Sequence, residues 1–495
     1  MRWGWIAALP AAALGFGAAA QEPPVVPVPP PAAQQAPQAP VLTIAPPAAE
    51  SIALTSAQAA TALEVLRGAD AHGLRPKDYL PAGVTDAAAL SPEQNAALAR
   101  GLIRYAHDVR VGRLALGDFP HMWAVRPPPY DATADLARAV AEDRLGPWLD
   151  GLDPPYAGYQ ALLRGLARYR EIAAAGGWKA IPTGDTMSLG STDPRVPALR
   201  ARLAAEDPQV PAKGAATFDQ ALQDAVVRAQ KRYGLKPDGA VGPGTLAFLN
   251  VPVEARIRQI VANLERWRWL PRTMPATRVQ ANAGAAIVTL FRDDRPVLSM
   301  KAVSGRPGDE TPMLISEIHS VVINPPWNVP SSIATKELWP KAKRDPGYFA
   351  RNDYVVIPTE GGGSRIQQKP GPKAALGRFK FDFDNPFTIY LHDTPSRGTF
   401  DLYARQASHG CVRLEKAQLL AEALLAGDPK WDKAAIEAQL ADGKTLRVPL
   451  AEHVPVFVLY WTAFAGADGQ MHFRADPYKW DTLLLERIGE PAAAV

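Results

Sequence analysis

The sequence predicts a multidomain α+β protein: a helical scaffold, a small three-helix unit, and a β-rich domain with an inserted lid. Three observations carry this reading. Residues 51–178 repeat apolar side chains at helical spacing between proline- and glycine-rich turns. Residues 184–252 hold three short helical patterns with their own start and stop signals. From residue 278 the apolar period shortens to that of strands, broken by a long stretch rich in Pro, Gly and basic residues. A length of 495 residues suits about two to four domains.

The first residues read as an export signal. Met1-Arg2 is a short positive start, residues 3–17 are apolar and small, and Ala18-Ala19-Ala20 precedes Gln21. A signal over residues 1–20 is expected, with an uncleaved anchor as the alternative. The apolar run contains Pro10 and is short for a spanning helix, which favours cleavage and a periplasmic location. Residues 21–50 are rich in Pro, Ala and Gln. They lack the side chains for a core and read as an extended linker.

Within the scaffold, 51–178, amphipathic runs surround Leu63–Leu66, 98–109 and 159–175, separated at Pro127-Pro128-Pro129 and Asp153-Pro154-Pro155. In the three-helix unit, Val196, Leu199 and Leu203 form one stripe. Thr217 and Gln220 have capping-box spacing before a second helix, whose Leu222, Val226, Ala229 and Tyr233 share a face. Gly234 stops that helix, and Pro243 suits the first turn of a third. Residues 253–277 are a connecting segment with an Arg- and Trp-rich helix over 254–269.

The β-rich domain is expected over 278–482. Strands at 286–291 and 296–303 flank an Asp293-Asp294 hairpin turn, and further strands are predicted at 320–323, 387–391, 445–449 and 454–461. Helices are expected at 416–426 and 431–441. Residues 325–385 are too long for a turn and read as a lid insertion, and 483–495 as a C-terminal tail.

Formal charge is +4 with a pI near 9.0. This mild excess suits an anionic partner and does not indicate nucleic acid. The eight histidines are scattered without metal-ligand spacing, so no metal is expected.

The single cysteine, Cys411, lies in Ser408-His409-Gly410-Cys411-Val412-Arg413. In an exported chain a lone cysteine is a partner for another molecule or a thiol kept for chemistry. A thiol needs a neighbour to take its proton before it attacks, and histidine is suited to that. His409 lies two residues before Cys411, and His392 follows a predicted strand nineteen residues before it. Gly410 permits a tight turn that frees backbone N–H groups for an oxyanion. Arg413 offers a fixed cation, either for a substrate carboxylate or for a structural acid.

His392, fifteen intervening residues, then Ser408-His409-Gly410-Cys411 resembles the signature of L,D-transpeptidase (YkuD-type) catalytic domains. Asn324-Pro325-Pro326-Trp327-Asn328-Val329-Pro330 and Ile389-Tyr390-Leu391-His392-Asp393-Thr394-Pro395 are similar to the long, lid-bearing Gram-negative members. Residues 184–252 resemble that family's peptidoglycan-binding domain through Gly234-Leu235-Lys236-Pro237-Asp238-Gly239 and Val241-Gly242-Pro243, and 51–178 its helical scaffold. The resemblance implies Cys411 as nucleophile and His392 as general base and acid, oriented by the Asp393 carbonyl. It implies an oxyanion site shaped by His409, Gly410 and nearby amides, with Ser408 in the same motif. It places Arg413 on a substrate carboxylate and Tyr390 and Trp327 along the cleft. The implied reaction needs no cofactor and forms 3→3 cross-links between peptidoglycan stem peptides, releasing D-alanine. Glycan strands are the implied second partner, and carbapenem β-lactams the implied covalent inhibitors. Hydrolysis of the stem, lipoprotein attachment and a non-catalytic wall-binding scaffold are the alternatives. Residues 331–380 hold ten Lys/Arg against four Asp/Glu, a net +6 that suits an anionic stem.

Overall fold

The computed structural model describes residues 52–360 and 362–490. The signal, the linker and residues 491–495 lie outside the described residues. No described helix is long and apolar enough to cross a membrane.

The scaffold is helical as expected. Its helices Ser56–Arg67 and Pro92–Val111 each begin with a capping box, Thr55 with Gln58 and Ser91 with Gln94. Helix Ala157–Ala174 ends the region. The three-helix unit contains Val196–Ala204, Gln220–Tyr233 and Pro243–Leu249. Its second helix is not capped by Thr217. Asp219 takes that place: its carboxylate accepts from Leu222 N–H at 2.9 Å and pairs with Arg200 at 2.6 Å. A carboxylate that caps and pairs at once outcompetes the nearby hydroxyl.

Helix Val253–Arg268, expected as a connecting helix, is a structural spine. It packs against Ala157–Ala174, against helix Trp480–Arg487 and against the hairpin at 463–473. One apolar cluster runs through all of them, from Leu162 and Leu166 through Ile260 and Leu264 to Leu484 and Leu485. The arginines that suggest an exposed helix are buried and paired: Arg266 with Asp481 at 2.5 Å, and Arg268 with Glu265 at 3.2 Å. Residues 483–490 are accordingly no tail. They continue helix Trp480–Arg487, and Leu484, Leu485 and Ile488 enter this core.

The β-rich domain has strands β1 (Arg278–Asn282), β2 (Ile287–Arg292), β3 (Arg295–Gly305), β4 (Leu314–Ile323), β5 (Trp327–Asn328), β6 (Tyr354–Pro358), β7 (Ser364–Gln368), β8 (Phe379–Phe383), β9 (Leu391–His392), β10 (Gln406–Ser408), β11 (Val412–Leu414), β12 (Leu446–Leu459), β13 (Ala463–Ala465) and β14 (Met471–Phe473). Nine form one sheet in the order β10-β3-β11-β9-β8-β4-β12-β1-β2, and β2 also pairs with β3, so the sheet closes on itself. Asp293 and Asp294 both have positive φ, at 50° and 57°, as a tight hairpin turn requires. The two strands expected at 445–449 and 454–461 are one, β12, with a register shift between Pro449 and Val454. The expected strand 387–391 shrinks to β9.

The insertion holds β5 to β7, a three-stranded sheet in the order β5-β7-β6, with short helices between β5 and β6. It has its own apolar cluster of Val329, Ile333, Ala334, Leu338 and Ile366. β8 pairs with β4 from Ile318 to Ile323, so the lid ends before β8 and not at 385.

A buried polar knot joins the scaffold to the three-helix unit. Glu206 accepts from the Tyr169 and Tyr233 hydroxyls and from Arg202 at 2.8 Å. The Arg202 guanidinium lies 3.7 Å over the Trp178 ring. Burial pushes the Glu206 pKa up, but the Arg202 charge and the tyrosine donors outweigh it and hold it down to about 2. The carboxyl's stabilising effect is therefore complete above its unfolded value of 4.5 and is lost as pH falls toward 2. Glu206→Ala, which leaves Arg202 buried and unpaired, should cost roughly 3–5 kcal/mol at neutral pH by denaturant unfolding. Glu206→Gln should flatten the acid limb of stability between pH 5 and 2.

Candidate active site

Two very short strands set the site. β9 and β11 run parallel, with Val412 opposite Leu391 and Arg413 opposite His392. Cys411, just before β11, is thereby placed beside Tyr390 and two residues out of step with His392, on the same face.

The turn leading into Cys411 is held from three sides. The Ser408 hydroxyl donates to the Cys411 carbonyl at 2.5 Å and accepts from Gly410 N–H at 3.2 Å. Gly410 has φ +106°, a conformation that side-chain-bearing residues rarely adopt. The buried Thr311 hydroxyl donates to the Gly410 carbonyl at 2.7 Å and accepts from Gly305 N–H at 2.8 Å. The Tyr478 hydroxyl then donates to the Gly305 carbonyl at 2.6 Å. Because the Gly410 carbonyl is fixed inward, the Cys411 N–H across the same planar peptide points the other way. It has no hydrogen-bond partner among the described residues, which leaves it open to an oxyanion.

His392 is buried, and its Nδ1 lies 2.5 Å from the Asp393 carbonyl oxygen. A proton on Nδ1 donates there, which leaves Nε2 as the basic nitrogen. Asp393 is fixed in turn: its carboxylate accepts from Arg378 N–H at 2.9 Å and from Arg397 at 3.2 Å. Gly377 is required at that corner, since a Cβ there would sit 2.4 Å from the Asp393 carboxylate. Burial and the Arg413 and Lys380 charges push the His392 pKa down to about 3, against the opposing pull of the Asp393 and Leu376 backbone.

Among the described residues no hydrogen bond joins the thiol to the His392 ring. Burial pushes the thiol pKa up, opposed by the Tyr390 backbone and hydroxyl and by the Lys380 and Arg413 charges. Burial pushes the Tyr390 hydroxyl pKa up, reinforced by the neighbouring Cys411 thiol and opposed by the Trp327 side chain of β5. Tyr390 meets the His392 ring edge-on at 5.5 Å, and Lys380 lies 4.4 Å over its face. The Arg413 guanidinium makes no ion pair among the described residues, and its Nε is buried without a partner. The His409 ring turns to the lid, where Nε2 lies 2.7 Å from a Glu337 carboxylate oxygen. Its imidazole is committed there and not to the thiol.

Three family models match the chain. The L,D-transpeptidase catalytic domain (YkuD) matches residues 276–431, which include every residue described at this cleft except Tyr478. The chain carries a YkuD-type L,D-transpeptidase catalytic domain. The scaffold domain matches 51–166, and a "Putative peptidoglycan binding domain" matches 192–249. A "Putative L,D-transpeptidase" of Haemophilus influenzae is 32% identical over 251 residues, 47% of this chain and 50% of that protein. The chain thus spans about half the length of the curated relative it matches. Among solved structures, L,D-transpeptidase 3 of Mycobacterium tuberculosis with a faropenem-derived adduct is 16% identical, covering 37% of this chain and 60% of that one, at a TM-score of 0.21. The L,D-transpeptidase of Xylanimonas cellulosilytica is 20% identical over 56% of this chain and 98% of that one, at a TM-score of 0.19.

The L,D-transpeptidase domain uses residues that sequence reasoning missed. Thr311 and Tyr478 brace the Gly410 turn from distant segments, and no local pattern marks them. Lys380 faces His392 across β8 and β9, a register visible only once β8 is known to belong to the main sheet. Glu337 sits in a π-helical turn of the lid, Ala334–Leu338.

The uncharged thiol beside an uncharged imidazole gives a resting site with little thiolate. Iodoacetamide labelling of Cys411, followed by mass spectrometry across pH, should therefore show a midpoint above 9. Tyr390→Phe and Lys380→Met each remove a contact that favours the thiolate, so both should move the midpoint higher and slow labelling at pH 8 severalfold. Gly410→Ala should lower turnover by at least tenfold while leaving the melting temperature within a few degrees.

Proposed function

We propose that the chain is a periplasmic L,D-transpeptidase that forms 3→3 peptidoglycan cross-links through a thioester at Cys411. The supporting observation is the cleft itself. A thiol, a neutral imidazole with one nitrogen committed to a carbonyl, a free backbone N–H and an unpaired guanidinium converge on the parallel pair β9 and β11.

The resting pair is uncharged, so proton transfer accompanies attack. His392 Nε2 takes the thiol proton as sulfur attacks the carbonyl of the third stem residue, and Tyr390 donates to the developing thiolate. The tetrahedral oxygen falls to the Cys411 N–H, and the Arg413 guanidinium receives a stem carboxylate. His392 returns the proton to the departing D-alanine amine. The side-chain amine of a second stem then attacks the thioester, and His392 takes its proton, which restores the thiol. The basic lid draws in the anionic stem. The three-helix unit holds the wall nearby, and the N-terminal signal delivers the chain to it.

The test uses the chain from Gln21 with a tetrapeptide muropeptide, its products followed by mass spectrometry. A dimer formed with loss of one D-alanine, absent for Cys411→Ala, is the expected result. Tripeptide without dimer would point to hydrolysis, and identical products from both proteins would defeat the enzymatic reading. Carbapenem exposure should add one inhibitor mass at Cys411 in the wild type and none in Cys411→Ala.

A further inference from the structure

A cavity of about 620 Å³ opens where the scaffold, the spine helix and β1–β2 meet. None of the cleft residues lines it. In the closed sheet β1 is four strands from β9 in either direction, so the cavity lies across the sheet from Cys411. Its size falls within the range of small-ligand sites.

The walls have a defined chemistry. Trp267 stacks on Trp461 at 4.3 Å, with Tyr156 against Trp267 at 5.3 Å, and Phe291 and Phe464 complete an aromatic enclosure. Set among these rings are polar atoms without partners. Trp267 and Arg278 are each 8% exposed, and neither Trp267 Nε1 nor Arg278 Nε has a hydrogen-bond partner; nor has the Tyr156 hydroxyl. The Gln280 amide reaches only the Met274 sulfur, at 3.6 Å. Those three atoms have almost no accessible surface, and the polar groups that line the cavity include the Gln280 and Asn282 amides.

The cations in this wall are already answered. Arg278 pairs with Asp294 at 2.5 Å, and Arg272 donates to the backbone carbonyls of Gly151, Leu152 and Asp153 at 2.5 to 2.8 Å. An anionic ligand would therefore find no free countercharge. A purely apolar ligand would leave the Gln280 and Asn282 amides of the lining without a partner. The remaining class has apolar faces to lie on aromatic rings and uncharged oxygens at its rim.

We propose that this cavity is a binding site for an uncharged, N-acetylated amino-sugar segment of a glycan strand, distinct from the site that holds the stem peptide. Sugar C–H faces pack on the Trp461 and Phe464 side of the enclosure, and acetamido and hydroxyl oxygens accept from the Gln280 and Asn282 amides. The choice of an amino sugar rests on the wall-directed reading given above; the cavity's demand for an uncharged, oxygen-rich ligand does not.

The experiment titrates the full chain with the uncharged trimer of N-acetylglucosamine by calorimetry. Wild type should bind saturably, and both Trp461→Leu, which removes one plate, and Thr289→Trp, which fills the cavity, should bind at least tenfold more weakly. Hydrogen–deuterium exchange of the wild type guards against misfolded variants. Protection by the trimer within 267–294 and 461–465 supports the site, whereas protection confined to 184–252 overturns it. Absence of binding to wild type, or equal binding by both variants, also overturns it. Release of D-alanine from a sugar-free tetrapeptide should be unchanged in both variants, so failure of the sugar site and failure of the transpeptidase reading give different results.

Discussion

The site depends on a parallel contact two residues long. Parallel strands cannot be joined by a tight turn, so β9 and β11 are linked by an excursion through β10 and the loops around it. So short a ladder cannot hold its register by its own hydrogen bonds. The register is imposed from outside. β8 fixes β9, with Lys380 opposite His392, and β3 fixes β11, with Val303 opposite Arg413. The Thr311–Gly410 and Tyr478–Gly305 hydrogen bonds then lock the turn that precedes Cys411. A slip of one residue would turn Arg413 and His392 to opposite faces. The closed sheet is thus the frame for a contact that would not persist without it.

Burial has opposite effects on the Cys411 thiol and the His392 imidazole, and the balance gives the site its character. It raises the thiol and lowers the imidazole, so both rest uncharged. Positive charge nearby sharpens the contrast, because Arg413 and Lys380 disfavour an imidazolium while favouring a thiolate. An uncharged thiol is also less open to stray oxidants, since the thiolate is the reactive form. Trp327 of the lid and the Cys411 thiol both act on the Tyr390 hydroxyl, so the electrostatics beside the sulfur include a contribution from the lid.

Much of this was legible in the sequence because it was written locally. The order of domains followed from period and punctuation, and His392, Cys411 and their motif from spacing. The Asp393 carbonyl lies where the resemblance implied, against His392 Nδ1. What escaped was written at long range. The Arg-rich helix 253–268 reads as a connector until Asp481 and Glu265 are seen to answer its charges. β8 hides inside a basic stretch, and with it Lys380. His409 looks like a second base until Glu337, 72 residues earlier, claims its ring. Thr217 was the plausible cap until Arg200 made Asp219 the better one. In each case a distant partner changed what a residue could do, and a single sequence does not display partners.

The lid has one further property. Its two ends touch: Asn324 N–H donates to the Arg378 carbonyl at 2.9 Å, so more than fifty residues leave the sheet and return through a single doorway. The segment between carries its own small sheet and apolar cluster. Such a segment is a cassette. Closing a gap that is already closed adds little entropic cost whatever the length of the loop, so the barrel tolerates long or short versions at that doorway. What covers the cleft can then change through exchange of the cassette while the strands beside Cys411 and His392 stay as they are.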